Sequence, residues 1–153
     1  MNKHLFFDQL YALVKDEDNL IANLANVSAF LNECFDDINW IGFYLRDEND
    51  LVLGPFQGKT ACVRIPIGKG VCGKATLRKE IIRVEDVHQF IGHIACDHAT
   101  HSEIVLPIII QDEVVGVLDI DSPLFNRFTL KDEELLKGVV EIIEECVFKK
   151  AIE

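Results

Sequence analysis

The chain has 153 residues, 49% of them apolar, and a formal charge of −11. That is enough apolar mass for one domain with its own core, which excludes a disordered chain and the need for disulfide staples. The acidic balance, with no cluster of Lys or Arg, excludes the electrostatic footprint of a nucleic-acid or anionic-membrane surface.

The N-terminal stretch "MNKHLFFDQLYALVKDED" is interrupted by Asp8 and Gln9 and has no small-residue cleavage site. It does not read as a signal peptide, and the expectation is a cytoplasmic protein. Leu5, Phe6, Leu10, Leu13 and Val14 recur at helical spacing,. Phe7 widens that apolar surface beyond one face, which leaves room for a homodimer contact. Leu20, Ile21, Leu24, Val27, Leu31 and Cys34 predict a second helix that starts near Asp18,. The period then changes. "NWIGFYLR" (39–46) is strand-like, "DEND" is a turn, and "LVLGPFQ" and "CVRIPI" read as further strands,. "GKGVCGKATLRK" (68–79) is a glycine-rich turn that opens a short helix, and "IIRVEDV" is a short strand. "EIVLPIII" and "VVGVLDI" flank Gln111, Asp112 and Glu113 as a hairpin. The longest apolar run, "IVLPIII", is too short to span a bilayer,. A last helix starts at Thr129, with early carboxylates and a stripe of Leu135, Leu136, Val139, Ile142, Ile143 and Cys146,.

This order predicts an α+β fold. A central, mainly antiparallel six-stranded sheet carries the N- and C-terminal helices on one face. Residues 58–102, a loop and short-helix segment, cover a ligand pocket on the other. Strand alternation gives that second face its content. Trp40 and Tyr44 oppose Ile41 and Phe43. Glu103 opposes Ile104. Val115, Val117, Asp119 and Asp121 oppose Val114, Gly116, Leu118 and Ile120. The predicted pocket is therefore lined by Trp40, Tyr44, Glu103, Asp119 and Asp121. Three carboxylates on one such face need a cationic partner to ionise together, and Lys and Arg are scarce nearby. A ligand can supply the missing cation. The plainer reading has Asp119 and Asp121 at a solvated strand end and Trp40 simply in the core.

The chain has five cysteines, an odd count that argues against a structural disulfide framework,. Cys34 and Cys146 lie on apolar helical stripes and read as packing. Cys62, Cys72 and Cys96 fall in the polar, glycine-rich middle segment. Cys72 sits near a predicted helix start, which favours thiolate and also presents backbone N–H groups to an anion. Cys96 lies among His93, His98 and His101, any of which can lower its pKa or move a proton. These four residues offer zinc ligand types. They lack a Cys-x2-Cys or His-x3-His pair, so no metal is expected, and the histidines read mainly as loop residues.

The stretches "NWIGFY", "QGKTACVRIPIGKGVCGKA", "GHIACDHATHSEIVLPI" and "GVLDIDSP" together cover essentially the whole chain. With three cysteines spaced ten and twenty-four residues apart, they resemble the free methionine-(R)-sulfoxide reductases, a GAF-domain family. The resemblance implies a single GAF domain over residues 1–153 that reduces free methionine (R)-sulfoxide. The substrate's ammonium group would meet the carboxylates, with Asp119 its main partner, and its thioether end would rest on Trp40. Thiol-dependent sulfoxide reduction needs a thiolate, a proton for the oxygen, and a second thiol to resolve the sulfenic acid. The residues alone leave the nucleophile open between Cys72 and Cys96. The resemblance assigns Cys96 as nucleophile, Cys62 as resolving thiol and Cys72 as a spare that relays the disulfide or assists its reduction. Glu103 and Asp121 are then the polar catalytic pair. Thioredoxin would supply reducing equivalents, and no bound cofactor is implied. Two readings of other classes stand beside this one: a non-catalytic GAF small-molecule sensor and a zinc-binding regulatory domain.

Overall fold

The structure, a computed structural model, describes residues 1–93 and 98–152. Two helices open the chain, α1 (Lys3–Val14) and α2 (Leu20–Cys34). Each begins at an asparagine whose side chain accepts a backbone N–H: Asn2 from Leu5 at 3.1 Å and Asn19 from Ala22 at 2.9 Å,. The second helix thus starts at Leu20 behind its Asn19 cap, near the predicted Asp18. Three strands follow, β1 (Trp40–Asp47), β2 (Asp50–Gly58) and β3 (Arg64–Pro66), then α3 (Gly70–Arg78) and β4 (Ile82–Val84). The hairpin strands β5 (Ser102–Ile110) and β6 (Glu113–Ser122) lead to α4 (Leu130–Ile143). Thr129 caps α4 with a reciprocal box. Its hydroxyl accepts from Asp132 N at 3.2 Å, and its own N–H donates to the Asp132 carboxylate at 2.9 Å,. A π-helical turn (Glu144–Phe148) and a short α5 (Lys149–Ile152) close the chain.

The strands form one six-stranded sheet in the order β3-β2-β1-β6-β5-β4, with each of the five neighbouring pairs antiparallel. Its first face carries Ile41, Phe43, Ile104, Leu106, Ile108, Leu118 and Ile120. These pack under Leu10, Leu24, Leu31, Leu136 and Val139 of α1, α2 and α4. The predicted burial of terminal helices on one face is what forms. The opposite face carries Trp40, Tyr44, Val105 and Val117 against Ile65, Val71, Cys72, Ala75 and Val87 of the middle segment.

Three local readings change. Strand "CVRIPI" shrinks to Arg64–Pro66 because β3 pairs only with the start of β2, at Asp50, Leu51 and Val52. Strand "IIRVEDV" shrinks to Ile82–Val84. Beyond it the Asp86 side chain accepts from His88 N at 3.0 Å and starts a 3-10 turn, Val87–Gln89,. Alternation along β6 also breaks, because a register shift between Ile108 and Ile109 pairs Ile109 with Val114. Val115 therefore packs on the helix-side core rather than on the Asp119 face,.

The turn into α3 depends on glycine. Gly70 opens the helix at φ +63°, and a Cβ on Gly73 would lie 2.6 Å from the Pro66 carbonyl oxygen,. The backbone of α3 can therefore press directly on the 66–68 turn, which fixes Cys72 against the sheet.

Candidate active site

Strand register assembles the acidic face. Trp40 pairs with Asp121, and Asp121 pairs with Glu103, so the three stand abreast on neighbouring strands. One step along, Asp119 lies between Gly42 and Val105. Paired side chains on one face sit about 5 Å apart. α3 brings Cys72 down onto this row. One donor atom each from Cys72, Glu103 and Asp119 lies within 4.8 Å of the others. Trp40, Tyr44, Glu103, Asp119 and Asp121 all line one cavity, as predicted, and Cys72 joins them. The solvated-strand-end reading fails for Asp119, which is 5% exposed, and Glu103 is 6% exposed.

The acids are organised by proton sharing. Burial pushes the Glu103 carboxyl well above the ordinary glutamate range, and the charges of Asp119 and Asp121 push it further,. Burial also raises Asp119, but hydrogen bonds from Glu103, Asp121 and Cys72 oppose that rise. Of the two, Glu103 holds its proton the more strongly, and Asp119 is the better acceptor. Asp119 Oδ1 is buried with no hydrogen-bond partner among the described residues. No lysine or arginine lines the cavity among the described residues.

Cys72 does not have the activated thiol that its helix position suggested. Burial raises its pKa well above the ordinary thiol value, and Asp119, Glu103 and Asp121 add repulsion against a thiolate. Burial and that repulsion outweigh the benefit of the helix start,. Tyr44 is held as a neutral phenol, first by burial and then by the Asp119 charge.

The aromatic residues hold the roof. Trp40 stacks between Phe56, at 5.2 Å between ring centroids, and Tyr44, at 5.8 Å. Its indole N–H donates to the Lys59 carbonyl at 3.2 Å. The Tyr44 hydroxyl donates to the Cys62 carbonyl at 2.8 Å. Both tips thus tie residues 59–62 across the cavity. Cys62 is disulfide-bonded, while Cys34, Cys72 and Cys146 are free thiols. Cys96 lies outside the described residues.

The three histidines separate. His93 lines the cavity with its Nε2 3.9 Å from Glu103 Oε1, and burial lowers its pKa. His101 turns away, its Nδ1 2.7 Å from the Pro123 carbonyl oxygen. His98 is exposed. His93, Thr60, Ala61, Ile65, Gly70, Val71 and Thr100 complete the lining among the described residues without having been singled out as pocket residues. Only His93 carried a signal, as a titratable residue near the predicted site. The Thr100 hydroxyl accepts from Asn39 Nδ2 at 3.0 Å, which fixes the end of the covering segment beside β1.

Comparison with known proteins gives this geometry relatives. Residues 17–147 match the GAF domain family. The chain is 54% identical over 151 residues to a free methionine-R-sulfoxide reductase of Escherichia coli, covering 96% of this chain and 92% of that protein. Among solved structures, fRMsr of Staphylococcus aureus in complex with substrate superposes with a TM-score of 0.89 at 52% identity, over 98% of this chain and 95% of that one. A free methionine-R-sulfoxide reductase from Neisseria meningitidis, also in complex with its substrate, superposes with a TM-score of 0.93 at 40% identity, over 99% and 92%.

Proposed function

We infer the chemistry of this cavity from kinship and geometry together: the chain belongs to the GAF domain family and, within it, to the free methionine-R-sulfoxide reductases. It is an enzyme that reduces free methionine (R)-sulfoxide to methionine. The observation that carries this reading onto the chain's own residues is the Glu103–Asp119–Asp121 row beside Trp40, in which Glu103 and Asp119 are buried, with no lysine or arginine in its lining among the described residues. A zwitterionic amino acid brings the ammonium such a row needs. Asp119 Oδ1 suits that ammonium as an acceptor.

The thiol chemistry follows from role and position. The Cys96 thiolate attacks the sulfoxide sulfur, and the oxygen takes a proton from Glu103 and leaves on the cysteine as sulfenic acid, releasing methionine. Asp121, abreast of Glu103, is the second polar group at the oxygen. Cys62 then attacks the Cys96 sulfenic acid, forming a disulfide and water. Support for Cys62 as the resolving thiol is that it is disulfide-bonded while Cys72 is free. Support for Cys96 over Cys72 as nucleophile is the opposition of burial and three acids to a Cys72 thiolate. A thioredoxin-type dithiol returns Cys62 and Cys96 to thiols, so electrons balance without a bound organic cofactor. No helix among the described residues is long and apolar enough to cross a membrane, and the reading is of a cytoplasmic reductase.

Purified protein mixed with free methionine (R)-sulfoxide and thioredoxin, or dithiothreitol, should produce methionine over many turnovers. Tight retention of a small molecule with no methionine formed would instead establish the non-catalytic sensor.

A further inference from the structure

We propose that Cys72, Glu103 and Asp119 form a binding site for a zinc-class divalent cation, with His93 as fourth ligand, and that the ion excludes substrate from the cavity. The exclusion rests on the reductase reading; the metal site does not.

The first observation is spacing. The Cys72, Glu103 and Asp119 donor atoms fall within 4.8 Å of one another. Zinc takes oxygen and nitrogen at about 2.0–2.1 Å and sulfur at about 2.3 Å, so tetrahedral ligand atoms sit roughly 3.3–3.8 Å apart. A contraction of about an ångström closes the triangle. His93 Nε2 stands 3.9 Å from Glu103 Oε1 but lies outside the Cys72–Glu103–Asp119 group, so its ring would have to move in to become the fourth ligand.

The second observation is independent of the acidic cluster as such. Asp119 is 5% exposed, lines the cavity, and keeps Oδ1 without a hydrogen-bond partner among the described residues. A buried carboxylate oxygen in that state calls for a cation. The donor set selects the kind. A thiol, an imidazole and two carboxylates suit a borderline-soft ion that prefers four ligands, whereas magnesium and calcium take oxygen almost exclusively. Binding would release the thiol and Glu103 protons to solvent, with no change of oxidation state. The metal set differs from the one the sequence suggested, since His98 is exposed and His101 is engaged with Pro123.

The ion and the substrate's ammonium would use the same Asp119 oxygen. Zinc should therefore be competitive with free methionine (R)-sulfoxide. The test is a titration of chelator-stripped, fully reduced protein with cobalt(II), followed by absorption. The expected result is one cobalt per chain with a near-ultraviolet thiolate-to-cobalt band. That band should vanish in Cys72→Ser, persist in Cys62→Ser and Cys96→Ser, and be bleached by zinc. Zinc should then raise KM at least tenfold with kcat unchanged. No stoichiometric band, or a band that survives Cys72→Ser, would overturn the site. Should Cys72→Ser misfold, Glu103→Gln and Asp119→Asn must each weaken cobalt binding at least tenfold, and unchanged affinity in both would overturn it equally. A failed methionine assay in metal-free buffer refutes the reductase reading alone; an absent cobalt band refutes the metal site alone.

Discussion

Glu103 shows how one side chain acquires its role from its surroundings. A surface glutamate ionises near pH 4.3 or so. Here burial, Asp119 and Asp121 keep the proton on well above that. A neutral carboxyl of this kind can donate to a sulfoxide oxygen at neutral pH. Glu103→Gln keeps the shape and a hydrogen-bond donor but has no proton to transfer. Its kcat should fall by about 10²–10⁴-fold with an unchanged far-ultraviolet circular dichroism spectrum. Near-normal kinetics in that variant would remove Glu103 from the proton transfer. In the parent enzyme, the rate should fall as pH rises through the elevated Glu103 pKa, since only the protonated form donates. Glu103, Asp119 and Asp121 were readable as a shared face because β-alternation places every second residue together. What alternation could not tell was which acid keeps the proton, because that depends on depth and on partners from other strands. The same limit misjudged Cys72. Its place near a helix start suggested activation, whereas its depth beneath the acids gives the opposite.

At the scale of elements, β1, β5 and β6 build the site floor and the covering segment builds the roof. The floor was legible in the chain as strict period-2 patterns flanked by turns. The exception, Val115, sits beside the register shift between Ile108 and Ile109, which adds no compositional mark. The roof was less legible, because Thr60, Ala61 and Thr100 belong to stretches without period that are held by bonds from distant strands. Tyr44 to Cys62 and Trp40 to Lys59 are two such bonds. Helix α4, by contrast, announced its start at Thr129 through local chemistry. These differences separate two mutants. Thr129→Ala removes the capping box and should cost about 1 kcal/mol of stability, leaving kcat/KM unchanged,. Gly73→Ala drives a methyl toward the Pro66 carbonyl, so it should cost roughly 1–3 kcal/mol and also lower kcat/KM by displacing Cys72 and the cavity wall,. Urea midpoints and steady-state kinetics on both check the contrast. Equal activity in the two would mean that α3 does not position the site.

The whole molecule is a sheet with two unlike cores. One is apolar and covered by α1, α2 and α4; the other surrounds buried acids. The second arrangement has a thermodynamic signature. Glu103 and Asp119 have raised pKa values, and so does Glu144, where burial outweighs the N–H donated by Ile109 at 2.7 Å. In each case the folded chain holds a proton that the unfolded chain gives up near pH 4 or so. Their contribution to stability is therefore complete below that pH and is lost as pH rises through the elevated folded values. Urea midpoints should decline across that window, and Glu103→Gln should flatten the decline only in part, since Asp119 and Glu144 remain. A midpoint that climbs with pH over the same range would contradict the protonated cluster. The central claim, that this cavity reduces a sulfoxide through Cys96, is tested most directly in a single turnover. Reduced enzyme is mixed with free methionine (R)-sulfoxide without external reductant, and methionine is counted per chain. The account predicts a burst of about one methionine per chain, absent in Cys96→Ser. A burst that survives Cys96→Ser and disappears in Cys72→Ser would contradict it.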